Sequence, residues 1–361
     1  MTATRKVLSV AAGAVGVAAA GTALRVVQRR GVLSSRGAGD RTPFGSLRSE
    51  PVVVVADDGV DLHVEVDEYG GGGRRRATKA PELTVVFAHG YSLTLDSWHF
   101  QRAGYRGQVR TVYYDQRSHG RSGRSPKGHA TMEQLGRDLM TVLDSVVPEG
   151  PMVLVGHSMG GMTIMALAEE HPELFGDRVV GVGLISTTAG GLEPHRMIAP
   201  MLPSNIGGML AARLISVLAR GHRQVDGFRR IGRSVALVAT DELAFGDDVP
   251  TSYVEFVDQM LSSTPFEVVA EFFPNFTALD KFETVRALSV VPTSVICGTA
   301  DRITPIGHSR KLHAHIAGST LLECEDAGHL VIMERHEDVN AELDRLIALA
   351  GERADRRSST S

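Results

Sequence analysis

The chain has 361 residues, a formal net charge of −4 and two cysteines. That length allows one α/β domain with a large buried core and an inserted subdomain. The charge balance leaves no electrostatic footprint for nucleic acid, two cysteines are too few for a disulfide framework, and no Cys/His spacing or Gly-rich fingerprint marks a zinc or nucleotide site.

The first segment stands apart. Arg5-Lys6 precede Val7 to Val27, a run of Val, Leu, Ala and Gly interrupted only by Ser9, Thr22 and Arg25. A membrane span needs ~20 apolar residues, and this run reaches that length while its many Ala and Gly keep it weakly hydrophobic. A basic start, an apolar middle and the small residues Ala18-Ala19-Ala20 also fit a cleaved signal peptide. Residues 1–30 are therefore read as an anchor or signal, which predicts a membrane-associated protein, or a secreted one if the segment is removed. A helix packed on the domain is the third reading. Residues 31–50, rich in Gly, Ser and Arg, read as a linker.

The core pattern begins with Val52 to Val55 and Leu62 to Val66, an antiparallel hairpin around Asp57-Asp58-Gly59. After a Gly- and Arg-rich loop comes the apolar strand Thr84 to Ala88, followed by His89-Gly90-Tyr91-Ser92. Val109 to Tyr114 reads as the fourth strand, Met132 to Val147 as an amphipathic helix, and Val179 to Ile185 as the sixth strand. Between them, the buried strand Pro151 to Val155 runs into Gly156-His157-Ser158-Met159-Gly160, and the apolar helix Met162 to Ala168 follows. Strand, Gly-x-Ser-x-Gly and helix form the context of a nucleophile elbow, a turn that thrusts the Ser158 hydroxyl out at the carboxyl end of the sheet. By itself the motif could be a glycine-rich turn.

A serine hydroxyl is a poor nucleophile at neutral pH and needs a base that a third group orients. The strand beginning at Thr293 ends in a Gly-containing loop that carries Asp301, the candidate acid. The strand Leu321 to Cys324 ends in another, which carries His329, the candidate base. An oxyanion formed during acyl transfer needs two backbone N–H donors. These are assigned to Met159, the residue after the nucleophile, and to Tyr91, in the loop after the third strand. His89 reads as a buttress of that loop. Cys297 and Cys324 read as buried thiols.

The motifs His89-Gly90-Tyr91, Asp115 to Ser122, Gly156 to Gly160, Gly298 to Asp301 and Ala327 to His329 together resemble the α/β-hydrolase family, over roughly residues 50–350. The similarity is to its helical-cap branch of esterases, lipases, cofactor-free haloperoxidases and epoxide hydrolases. It implies an α/β fold with an eight-stranded, mostly parallel sheet, helices on both faces, and a helical cap at about 188–285 inside a domain at 51–350. It also implies that the Asp115 to Ser122 loop is structural and that no cofactor is used. One departure is informative: epoxide hydrolases and haloalkane dehalogenases carry aspartate at the elbow, whereas Ser158 favours acyl transfer.

Met197, Met201, Met209, Met260, Phe266, Phe272, Phe273 and Phe276 fall in the insertion, as cap core and as apolar wall over the site. The tail at 351–361 is polar and reads as disordered. The expected activity is a serine hydrolase cleaving carboxylic esters of hydrophobic acids or alcohols through an acyl-enzyme. Alternatives are a cofactor-free haloperoxidase or perhydrolase, a thioesterase, amidase or C–C bond hydrolase using the same residues, and a catalytically silent binding module.

Overall fold

The computed structural model describes residues 43–70, 83–193 and 229–358. Its eight strands are β1 (Pro51–Val55), β2 (Asp61–Asp67), β3 (Thr84–Ala88), β4 (Arg110–Tyr114), β5 (Met152–His157), β6 (Val179–Ile185), β7 (Thr293–Gly298) and β8 (Thr320–Cys324). They form one sheet in the order β1-β2-β4-β3-β5-β6-β7-β8. Pairing is antiparallel from β1 to β2 and from β2 to β4, and parallel elsewhere. Every residue of β3, β5, β6 and β7 is buried. Strands covered on both faces need apolar side chains on both, so the middles of these four are unbroken apolar stretches such as Val85-Val86-Phe87 and Val295-Ile296-Cys297 rather than alternating ones.

Alternation along the strands divides the core into two layers. Val85, Phe87, Tyr113, Val153 and Val155 face one layer, where Val339, Leu343, Leu346 and Ala350 pack on them. Those four belong to the long helix His336–Ser358. Val86, Ala88, Val112, Tyr114 and Leu154 face the other, against Leu139, Val142, Ile164 and Leu167. These come from the helices α2 (Met132–Val146) and α3 (Met159–Glu170); a shorter α1 spans His99–Tyr105. Thr131 caps α2 by accepting the Gln134 amide at 3.1 Å.

Between β6 and β7 the described insertion contains α4 (Arg229–Ala244), α5 (Thr251–Ser263) and α6 (Phe266–Ala278). Val268, Phe272, Phe276 and Leu279 pack against Met132, Leu135, Met159, Met162 and Ala166. The insertion thereby lies on the elbow helix itself. Met197, Met201 and Met209 lie outside the described residues. After β7 follow α7 (Ile306–His315) and, beyond β8, α8 (Val331–Glu334) and α9, the His336–Ser358 helix already met.

Three expectations need correction. Among the described residues no helix is long and apolar enough to cross a membrane, and Val7 to Val27 lies outside them. The membrane or secreted localisation expected from that run is withdrawn; its Ala and Gly content makes it a weak span even on composition. Residues 43–50 are not a free linker end. The Phe44 ring stacks on Phe256 with centroids 5.0 Å apart and meets His99 edge-on, and Arg48 pairs with Asp96. Finally, the helix that starts at His336 continues to Ser358, through most of the tail read as disordered.

Candidate active site

Four parallel strands deliver the candidate residues to one edge of the sheet. Ser158 follows β5 directly, Tyr91 follows β3, Asp301 follows β7, and His329 follows β8. Carboxyl ends of parallel strands share one side, so residues far apart in sequence meet there.

Ser158 has φ 52° and ψ −118°, a conformation costly for a residue with a Cβ. The surrounding chain holds it there. Its amide donates to Ile185 O at 2.9 Å, and its carbonyl accepts from Gly161 N at 3.0 Å and from Thr187 Oγ1 at 2.7 Å. The two motif glycines are required by close approach. A Cβ on Gly160 would lie 2.0 Å from Ala88 O, and one on Gly156 would lie 2.5 Å from the Gly160 carbonyl carbon. Met159 is the first residue of α3, so its amide is one of the four N–H groups a helix start leaves unpaired. No hydrogen bond among the described residues uses the amide of Met159 or of Tyr91.

Asp301 is 4% exposed and accepts four hydrogen bonds from nitrogen and oxygen donors, besides the weaker contact of the Cys297 thiol. Oδ1 takes the amides of Ile303 at 2.8 Å and Thr304 at 2.9 Å; Oδ2 takes Thr304 Oγ1 at 2.8 Å and His329 Nδ1 at 2.9 Å. Burial alone would raise its pKa, but His329 and the Thr304 donors outweigh burial and hold the carboxyl below its ordinary range. A carboxylate can only accept, so His329 carries its proton on Nδ1 and presents Nε2 as a lone pair. The elbow and the histidine loop also touch directly: His157 Nε2 is 2.9 Å from His329 O, with ring centroids 4.9 Å apart. Among the described residues no hydrogen bond joins the Ser158 hydroxyl to His329.

His89 is fully enclosed, with Nδ1 donating to Gly90 O at 2.7 Å and Nε2 accepting from Gln116 N at 2.9 Å. Burial pushes its pKa down to about 4, so both nitrogens serve the loop as a neutral ring. Asp115 accepts the Leu95 amide at 2.7 Å and the Arg121 amide at 2.9 Å, tying its loop under the site. Cys297 lies beside Asp301, where burial first and the carboxylate second push the thiol up to about 12. Among the described residues no three His, Cys, Asp or Glu side chains gather as metal ligands would.

Ser158 opens into a cleft of about 640 Å³. Tyr91, Met162, Leu192, Leu243, Phe273, Phe276, Ile303 and Pro305 supply its apolar wall, with Glu193, Arg302, Thr304 and His308 as its polar members. Phe273 and Phe276 are among the insertion residues that sequence reasoning assigned to cap core or wall, without separating the two. It missed Met162, Leu243, Ile303 and His308, whose spacing carries no wall signal because they come from three separate segments. The Tyr91 hydroxyl donates to Val269 O at 2.5 Å, fastening the loop after β3 to α6.

The alpha/beta hydrolase family model matches residues 85–342 of this chain. Among known proteins, an uncharacterized protein of Mycobacterium tuberculosis is 26% identical over 268 residues, 71% of this chain and 72% of that one. A monoacylglycerol lipase of Mycolicibacterium smegmatis is 25% identical over 247 residues, 66% of this chain and 76% of its own. Among solved structures, an enol-lactonase from Burkholderia xenovorans superposes with a TM-score of 0.64 at 25% identity, covering 82% of this chain and 100% of its own. The chain therefore belongs to the alpha/beta hydrolase family, and it is a hydrolase.

Proposed function

We propose that this hydrolase cleaves carboxylic esters of hydrophobic acids or alcohols through an acyl-enzyme on Ser158. The observation that carries the reading is the pairing of a strained serine that lines an apolar cleft with a histidine whose Nδ1 is held 2.9 Å from a buried carboxylate. Ser158 Oγ attacks the carbonyl carbon while His329 Nε2 takes its proton. Asp301 keeps the imidazole in that tautomer and stabilises the cation. The amides of Met159 and Tyr91 meet the oxyanion that develops. His329 then returns the proton to the leaving alcohol, and water repeats the sequence to release the acid. The helices Arg229–Ala244, Thr251–Ser263 and Phe266–Ala278 act as the cap, excluding water from the acyl group through Phe273 and Phe276. Ester specificity is also in keeping with the lipase and enol-lactonase among its relatives.

The test is labelling by a fluorophosphonate and turnover of p-nitrophenyl esters of graded chain length. Ser158→Ala should abolish labelling and lower kcat on the order of 10³-fold or more. Labelling that survives in that variant rejects Ser158 as the nucleophile.

A further inference from the structure

The cleft wall is apolar over most of its surface, but His308, in the first turn of α7, brings an imidazole into it. The protonation of that ring can be worked out from its neighbours. His308 Nδ1 lies 2.9 Å from Thr188 Oγ1. Thr188 is buried, and its hydroxyl has a single proton, which it donates to Gly190 O at 2.7 Å. The oxygen can then only accept from its other partners. It takes the Gly190 amide at 3.0 Å and, on its remaining lone pair, His308 Nδ1–H. The proton of the neutral ring is thereby fixed on Nδ1, and Nε2 carries a lone pair. Burial lowers the pKa of His308 and keeps the ring neutral. The ring's recorded partners among the described residues are Thr188 Oγ1, at Nδ1, and the Gly190 backbone beside that hydroxyl, and Nε2 is not among the fully buried unpartnered atoms. With Nδ1 turned to Thr188, the opposite edge of the ring is the one left for the cleft.

We infer that His308 Nε2 accepts a hydrogen bond from a hydroxyl of the substrate, so that this cleft selects esters whose acid or alcohol part carries a free hydroxyl group. The inference rests on the ester-hydrolase reading above and names its substrate class. A neutral hydroxyl donor suits this neutral acceptor, because Leu243, Phe273 and Phe276 line the same space and its two charged members, Glu193 and Arg302, are of opposite sign. An acceptor in an apolar wall also discriminates by penalty: a substrate that lacks the hydroxyl leaves Nε2 dry and unpaired.

Two isosteric ester pairs test this, one for each side of the ester bond: 2-hydroxyethyl butyrate against propyl butyrate, and methyl 4-hydroxybutyrate against methyl pentanoate. The readout is the ratio of kcat/KM within each pair. The wild-type enzyme should favour the hydroxylated member of at least one pair by about tenfold, the worth of one net hydrogen bond. His308→Phe should bring that ratio to one or below, since an apolar wall alone prefers the methyl group. His308→Gln, whose amide oxygen can accept, should keep most of the preference. Thr188→Val, which releases Nδ1, should weaken it without touching the cleft surface, and it remains decisive if His308→Phe does not fold. A wild-type ratio near one in both pairs, or a preference that persists in both His308→Phe and Thr188→Val, overturns the inference and leaves the esterase reading intact. A wild-type protein that hydrolyses none of the four esters and is not labelled by a fluorophosphonate overturns both.

Discussion

Asp301→Asn separates orientation of the base from stability of the loop that holds it. In the wild type, Oδ1 accepts two amides and Oδ2 accepts Thr304 Oγ1 and His329 Nδ1. The asparagine oxygen can keep the two amides, which places its NH₂ where Oδ2 was. The Thr304 hydroxyl can turn and accept, and His329 Nδ1 can accept if it gives up its proton. Each of these partners is then paired, so the loss of stability should be modest, about 1–2 kcal/mol for exchanging a charged hydrogen bond for neutral ones. Catalysis should suffer far more. With Nδ1 now a lone pair, the proton sits on Nε2, and the ring cannot take the proton of Ser158. A wrong tautomer costs a fall in kcat of about 10⁴, or roughly 5 kcal/mol of transition-state stabilisation. The assay is kcat on a p-nitrophenyl ester together with a thermal melt of the same preparation. A kcat within tenfold of wild type in a folded Asp301→Asn would refute the tautomer argument and move the acid elsewhere. A collapsed melt with proportionate loss of activity would show that Asp301 is chiefly a structural cap of its loop.

Two further predictions concern the frame. Gly160→Ala puts a Cβ 2.0 Å from Ala88 O, and since that oxygen is strand backbone and the Cβ is fixed to the helix backbone, the strand or helix must move. Its expected cost exceeds ~4 kcal/mol, whereas Gly307→Ala, with no atom within 4 Å of the added carbon and a helical site, should be neutral or slightly stabilising; urea midpoints distinguish the two, and equal midpoints would undo the close-approach argument. The buried histidines predict acid sensitivity. Burial lowers His89 from its ordinary 6.5 to about 4 and His157 to about 3. Below pH 6.5 the unfolded chain takes up protons that the folded ring refuses, so the stability these groups preserve is complete above that value and is lost progressively down to about pH 4 and pH 3 respectively. Unfolding free energy should fall by up to about 1.4 kcal/mol per histidine per pH unit within that window; a flat profile between pH 7 and 5 would contradict it.

Much of this protein is written locally. The four central strands are legible because a strand covered on both faces is apolar on both, so its middle reads as an unbroken apolar run with polar residues only toward its ends. The elbow is legible because close backbone approach demands glycine two residues before and two after Ser158, and Asp301 and His329 because each follows a strand within a short Gly-containing loop. Residue order along the chain then suffices to name candidates. What the order does not contain is mutual geometry. The proton on His329 Nδ1 follows from a 2.9 Å contact with a carboxylate 28 positions away, and the proton on His308 from a hydroxyl 120 positions away. The packing of Phe44 into the core was hidden because a single aromatic in a Gly/Ser/Arg stretch has no periodicity to read. The cleft wall was hidden for the same reason, since Met162, Leu243, Ile303 and His308 become neighbours only when the elbow helix, an insertion helix and the segment after β7 meet at one edge of the sheet. Local composition decides which backbone a segment can adopt; which side chains share a cavity depends on contacts distant in sequence, and only the folded sheet makes them.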